Sequence, residues 1–265
     1  MFRRLWRAWR HFHDVDASYC AGGIAFYLLF ALTPFLLLSL SVAALVSKDS
    51  AAFLAVFDRF FQGNVPQYAG ELRETMLQVF ANRGRIGVIG LVLMFMSARK
   101  LVNAIEIGLN RVLELERPKS GMLTTVASFA FIVFAALLFL TTVVATVALD
   151  FAAGLRVSFL PNSAITLVGS FLSGLFAAVM SSALFFAIYR FAPARGMPRD
   201  RALVAAVSAT LLWQGSRHVF VWYAGTQLAQ YRWLYGSMAS FLLLLLWAYV
   251  FGVALLMGPC LAIKK

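Results

Sequence analysis

Charge is scarce in this chain, and acid scarcest of all. Only 11 of 265 residues are Asp or Glu, and charged residues of both signs make up 13%. A soluble globular chain carries about 25%, so there is too little charge here to coat a water-soluble fold. The apolar share is 62% and the mean hydropathy is +0.83. These values point to an all-α, polytopic membrane protein, because only helices and closed barrels satisfy their backbone in lipid. The length allows one membrane domain, 1–265, and no internal repeat is visible.

The other scarcities exclude chemistry. Three histidines and two cysteines are present, and none has the spacing of a metal site. His11 and His13 are two apart and do not share a helix face, while His218 sits late in an apolar segment. No serine has a placed base and no carboxylates cluster, so hydrolysis is not expected: no enzyme, no cofactor, no metal. Cys20 and Cys260 fall at the start of the first apolar segment and the end of the last; a structural disulfide is not expected on the inner side of a membrane. A net charge of +12 would suggest nucleic acid in a soluble protein. Here there is no basic soluble domain to bind it, and nucleic acid is not an expected partner.

What is present is a series of apolar runs. They are read as six transmembrane helices at 20–46, 86–109, 122–149, 164–189, 202–223 and 237–262. The first is too long for a cleaved signal and carries Pro34 in its middle, so it is read as an uncleaved span. Pro34 cannot donate to the carbonyl of Phe30 and is a candidate hinge. Ala21, Gly22, Gly23 and Ala25 make the start of this span closely packable. In the fourth span Gly169, Ser173, Ala177 and Ser181, with the adjacent row Ser170, Gly174, Ala178 and Ser182, form a broad small-residue face for helix packing. The loop after it carries four arginines, with Pro193 and Pro198. An aromatic outer loop is expected at 225–237, between the fifth and sixth spans. With both termini inside, fifteen Lys and Arg fall on inner segments and eight on outer ones. That is the positive-inside bias.

Two segments lie beside the membrane rather than across it. Residues 1–16 read as a cytoplasmic amphipathic helix: Phe2, Leu5, Trp6, Trp9 and Phe12 share one face, and Arg3, Arg4, Arg7 and Arg10 the other. That pattern suits an anionic leaflet. Residues 47–85 read as a periplasmic helical hairpin with pieces at 51–62 and 66–82. Leu72, Met76, Val79 and Phe80 recur at helical spacing in the second piece.

The second span is the most informative. Its purely apolar part, Ile86 to Met96, is shorter than the roughly 20 residues a crossing needs. If the helix continues, even to Glu116 before Pro118, it carries Arg99, Asn103, Glu106 and Asn110 as one polar stripe. A polar stripe on a spanning helix faces protein or water, not lipid. Candidate partners are Tyr27 in the first span and Gln214, Arg217 and His218 in the fifth. Two readings stay open: the stripe lines a cytoplasm-facing cavity, or it is a solvated cytoplasmic face.

Three blocks carry a family likeness. Ala25, Phe26, Tyr27 and Pro34 form the first; Ser97, Ala98, Leu109 and Asn110 the second; Tyr235, Gly236, Ser237, Trp247 and Gly258 the third. In this order and spacing the chain resembles the BrkB/YihY family of bacterial inner-membrane proteins over nearly its whole length. Where that family usually closes Gly-Ala-Glu, this chain has Gly258-Pro259-Cys260. The resemblance implies six helices and an inner-membrane home. It implies little about activity: a ribonuclease label attaches to some members, a virulence label to others, and lipid transport has been suggested for relatives. Together these readings lead us to expect a multi-pass inner-membrane protein, termini cytoplasmic, that moves or binds a lipid-like amphiphile or an anionic small molecule. A non-catalytic assembly partner in the envelope, or a homo-oligomer, is the alternative.

Overall fold

A computed structural model of the chain describes residues 2–46, 49, 51, 54, 69–115, 162–235 and 238–263. The regular structure in these residues is helical throughout: α1 Phe2–Asp14, α2 Ala17–Val46, α3 Ala69–Ala81, α4 Arg83–Val112, α5 Asn162–Phe191, α6 Arg199–Tyr235 and α7 Met238–Ala262. Four stretches are long and apolar enough to cross a bilayer: Ala17–Leu45, Arg83–Val112, Gly174–Phe191 and Phe241–Ala262. They fall on the expected first, second, fourth and sixth spans. The expected third span, 122–149, lies outside the described residues, as does nearly all of the piece at 51–62. The chain divides into two compact units, Tyr27–Lys100 and the remainder, Met1–Phe26 with Leu101–Lys265.

In the smaller unit, small residues let backbones approach. A Cβ at Gly90 would lie 3.1 Å from the Leu38 backbone nitrogen, and Gly87 faces Ser41. The Ser41 hydroxyl donates to the Arg83 carbonyl, which satisfies both polar groups inside an apolar contact. Met76 and Val79 of α3 are buried with Ala44 and Leu54, and Phe80 packs against that cluster. This is the face anticipated from their helical spacing. The Arg83 guanidinium lies 4.5 Å over the Phe80 ring and donates to the Phe80 carbonyl at 2.8 Å, fixing the α3–α4 turn. Pro34 is buried, and α2 continues unbroken through it.

In the larger unit α6 packs against α5 and α7, and α1 against α7. An aromatic ladder runs through the contact. Phe185 of α5 stacks at 6.0 Å on Phe251 of α7, and Trp213 of α6 meets Phe251 edge-on at 5.3 Å. Trp213 and Phe220 both pack on Trp247, at 4.5 and 4.7 Å. Such pairs add about 0.5–1.5 kcal/mol each beyond burial. Gly252 sits against the Ala21 backbone, and Gly108 against Cys20 and Leu256. Gly22 and Gly23 have open space beside them, as does Gly174 of the small-residue face on α5. Ser182 of that face donates to Thr210 of α6 at 3.0 Å.

Two boundaries differ from the sequence reading. Residues 225–235 of the expected outer loop are helical, because α6 continues to Tyr235. No proline interrupts this stretch, and a lone Gly225 costs a helix only about 1 kcal/mol. Aromatic enrichment marks a membrane interface without breaking a helix. The second correction is that α4 stops at Val112 instead of running to Glu116. Glu114 takes φ 53°, its N–H bonds the Arg111 carbonyl at 3.2 Å, and the Leu115 N–H bonds the Asn110 carbonyl at 2.9 Å. This is a Schellman stop, and it acts before Pro118 is reached. A glutamate in the left-handed region costs about 1–2 kcal/mol that glycine would not. Glu114→Gly is therefore expected to be neutral or to stabilise by up to about 1 kcal/mol, its larger unfolded-state entropy offsetting part of the gain. Glu114→Val is expected to destabilise by more than about 1 kcal/mol. Midpoints of SDS unfolding for the two variants check the pair.

Candidate functional site

The candidate site forms where α1, the start of α6 and the end of α7 meet. The sequence makes α1 strongly amphipathic, but the structure divides it three ways. Ala8 and Phe12 are buried, which seats α1 on the protein. Trp6 and Trp9, 56% and 48% exposed, are left as an apolar outer edge. Arg7, Arg10, His11 and Asp14 face a cavity. The expectation that Trp6, Trp9 and Phe12 form one lipid-facing side is thus corrected: Phe12, at the edge of that arc, turns into the protein.

Polar contacts hold α1 in place. The His11 ring nitrogen Nε2 lies 2.9 Å from the Val112 carbonyl, one of the last α4 carbonyls, which has no partner within its own helix. His11 Nδ1 lies 3.9 Å from Glu114 Oε1. Arg111 donates to Asp16 at 3.3 Å. Asp16 itself turns the chain from α1 into α2 at φ 52°, a conformation that Asp tolerates better than most residues.

The cavity encloses about 1000 Å³. Arg201 and Asp200 of the first turn of α6 form another wall, with Pro198 before them, and Cys260 to Ile263 form the base. Three arginines face two aspartates, so the formal charge is positive even with His11 neutral. The first turn of α6 also presents amide N–H groups without helical partners, a favourable setting for an anion. The loop that delivers α6 is tightly held. The Met197 N–H bonds the Tyr189 carbonyl, and Asn110 Oδ1 accepts from the Ala194 N–H at 2.8 Å.

The stripe on α4 divides. Arg99 and Asn103 are exposed, whereas Glu106 and Asn110 are only 2% and 6% exposed. Asn110 secures the α5–α6 loop through its oxygen; its Nδ2 is buried without a hydrogen-bond partner. Gln214 is half-buried, and Arg217 and His218 are exposed. They lie roughly 22–28 Å along α6 from its start at 1.5 Å per residue, whereas Asn110 reaches the loop before that start. Tyr27 is half-buried. None of these residues, nor Pro34, lines the basic cavity.

From the sequence, Arg7 and Arg10 read as the leaflet-facing charges of a surface helix, and Arg201 as an orienting charge of an inner loop. Nothing in their spacing reveals that they converge, because two belong to the first turns of the chain and one to its last third. The sole local signal is that all three fall on segments assigned to the same side.

The apolar helices, the small-residue crossings and the aromatic contacts between them define an integral membrane protein. The chain belongs to the BrkB family: residues 8–263 match the family described as Virulence factor BrkB. Similar curated proteins are named UPF0761 membrane protein. One from Vibrio vulnificus (strain YJ016) is 25% identical over 90% of this chain and 74% of its own. One from Aliivibrio salmonicida (strain LFI1238) is 24% identical over 94% and 78%, and one from Alkalilimnicola ehrlichii is 26% identical over 90% and 52%. No solved structure matches.

Proposed function

We propose that this protein binds an anionic amphiphile at the cytoplasmic face of the bacterial inner membrane and moves it within the bilayer. The observation that carries the reading is the basic cavity itself: about 1000 Å³, bounded by Arg7, Arg10 and Arg201, at the end where the sequence places both termini. Ligand sites are typically concavities of about 300–1000 Å³ with a few convergent polar groups. The positive-inside bias supports cytoplasmic termini, and the family resemblance supports the inner membrane. The protein is a carrier or binder, not an enzyme, in this reading. Pro34 is the hinge, because α2 lacks the bond from residue 34 to the Phe30 carbonyl. Of the α4 stripe, Asn110 holds the α5–α6 loop.

The test is binding of dodecyl phosphate to the purified protein in a maltoside detergent, read by microscale thermophoresis. The triple variant Arg7→Gln, Arg10→Gln, Arg201→Gln is expected to lose at least about tenfold in affinity, since each lost charge-assisted bond is worth about 1.5–3 kcal/mol. Equal affinity in the triple variant and the native protein sinks the proposal.

A further inference from the structure

An apolar groove lies further along α6 and α7. It encloses about 480 Å³, with Leu211, Gly215 and Val219 on one wall and Leu246 and Val250 on the other. One face of α6 joins it to the basic cavity. Val204 lines the cavity, and Val207, Leu211, Gly215 and Val219 follow at spacings of three or four, which keeps them on one side of the helix. Val204, Val207, Leu211 and Val219 are all exposed. The glycine makes the groove: at position 215 nothing lies within 4 Å of where a Cβ would be.

Resting on the proposed anion cavity, we infer that the ligand is a phospholipid bound lengthwise, its phosphate between Arg7 and Arg201 and one acyl chain along Val207 and Leu211 into the groove at Gly215. Charge and length both select this occupant. Guanidinium groups match phosphate oxygens in geometry as well as charge, and Asp14 and Asp200 leave the cavity only modestly positive, suited to a phosphodiester. From Val204 to Val219 the helix rises about 22 Å at 1.5 Å per residue. One leaflet's share of a 30 Å hydrocarbon core is about 15 Å, so an acyl chain from the inner leaflet fits between the two ends. Lipid that merely coats a helix has no reason to distinguish headgroups; lipid held at both ends does.

The experiment compares three probes on the full chain in maltoside micelles by microscale thermophoresis: dioleoylphosphatidylglycerol, dioleoylglycerol and glycerol 3-phosphate. The phospholipid is expected to bind at least about tenfold more tightly than either fragment, because the two ends act as one ligand. Arg201→Gln lowers its affinity to that of dioleoylglycerol, and Arg201→Lys retains most of it. Gly215→Leu fills the groove in open space. It weakens phospholipid binding about fivefold or more and leaves glycerol 3-phosphate unchanged. If glycerol 3-phosphate binds as tightly as the phospholipid and Gly215→Leu is silent, the lengthwise site is overturned while the anion cavity stands. If phospholipid and dioleoylglycerol bind equally and Arg201→Gln changes neither, both are overturned.

Discussion

Gly258→Ala is expected to cost about 2–3 kcal/mol, the upper part of the range for overpacking a well-filled core. A Cβ there would lie 2.6 Å from the Tyr189 hydroxyl, 2.7 Å from the Ala205 carbonyl oxygen and 2.9 Å from the Ala209 Cβ. Two of these neighbours belong to one buried face of α6 and cannot swing aside, since Ala205 and Ala209 are both fully buried. The third is the tip of a side chain that is itself committed. Relief therefore requires α6 and α7 to separate, which loosens the aromatic ladder as well. The measurement is the SDS-unfolding midpoint followed by tryptophan emission. Gly22→Ala, at a site with open space, serves as the control and is expected to be unchanged or slightly stabilised by its better helix propensity.

The second large effect concerns the same node. Pro259 lies inside α7 and has no N–H to give to the carbonyl four residues earlier, Leu255. That carbonyl is not left bare: the Tyr189 hydroxyl donates to it at 2.7 Å from α5. In a bilayer no water replaces a missing donor, and an unsatisfied backbone group is costly. Tyr189→Phe is expected to destabilise by about 1–3 kcal/mol. Pro259→Ala restores an N–H at 259, so Tyr189→Phe made in that background is expected to cost less than about 1 kcal/mol. A double-mutant cycle with coupling of roughly 1–2 kcal/mol supports the repair. Additive losses would show that the hydroxyl acts elsewhere.

This arrangement explains why parts of the protein could be read from the chain and parts could not. The spans at 20–46, 86–109, 164–189 and 237–262 fall on helices because hydropathy and length are local properties. The buried face of α3 was equally local, since Met76, Val79 and Phe80 announce it by spacing alone. Tyr189 and Pro259, by contrast, are 70 residues apart, and each looks ordinary by itself: a tyrosine near a span end, a proline near a terminus. Only their meeting shows that one completes the other. The basic cavity was hidden for a related reason. Arg7 and Arg10 have a sufficient local explanation as the basic face of a surface helix, and Arg201 as an orienting charge, and neither explanation carries information about their convergence. The α4 stripe was legible as a helix face but not as two different environments. Exposure at Arg99 and burial at Glu106 depend on what covers the face, and periodicity carries no information about that. The length of α6 was misread because its last turns are rich in polar and aromatic residues, which report surroundings more than backbone state.

The seating of α1 has a consequence for biogenesis. Its buried residues, Ala8 and Phe12, leave the ribosome well ahead of α7, against which it packs. At about 5–20 residues per second, roughly ten to fifty seconds separate the two. During that interval α7 is not there to cover its apolar side, but Trp6, Trp9 and its arginines suit it to wait on an anionic leaflet. Helix α1 is thus made well before the surface on which it docks. The cavity it closes cannot exist until α7 has been made, so a nascent chain halted before α7 would hold no binding site to occupy prematurely.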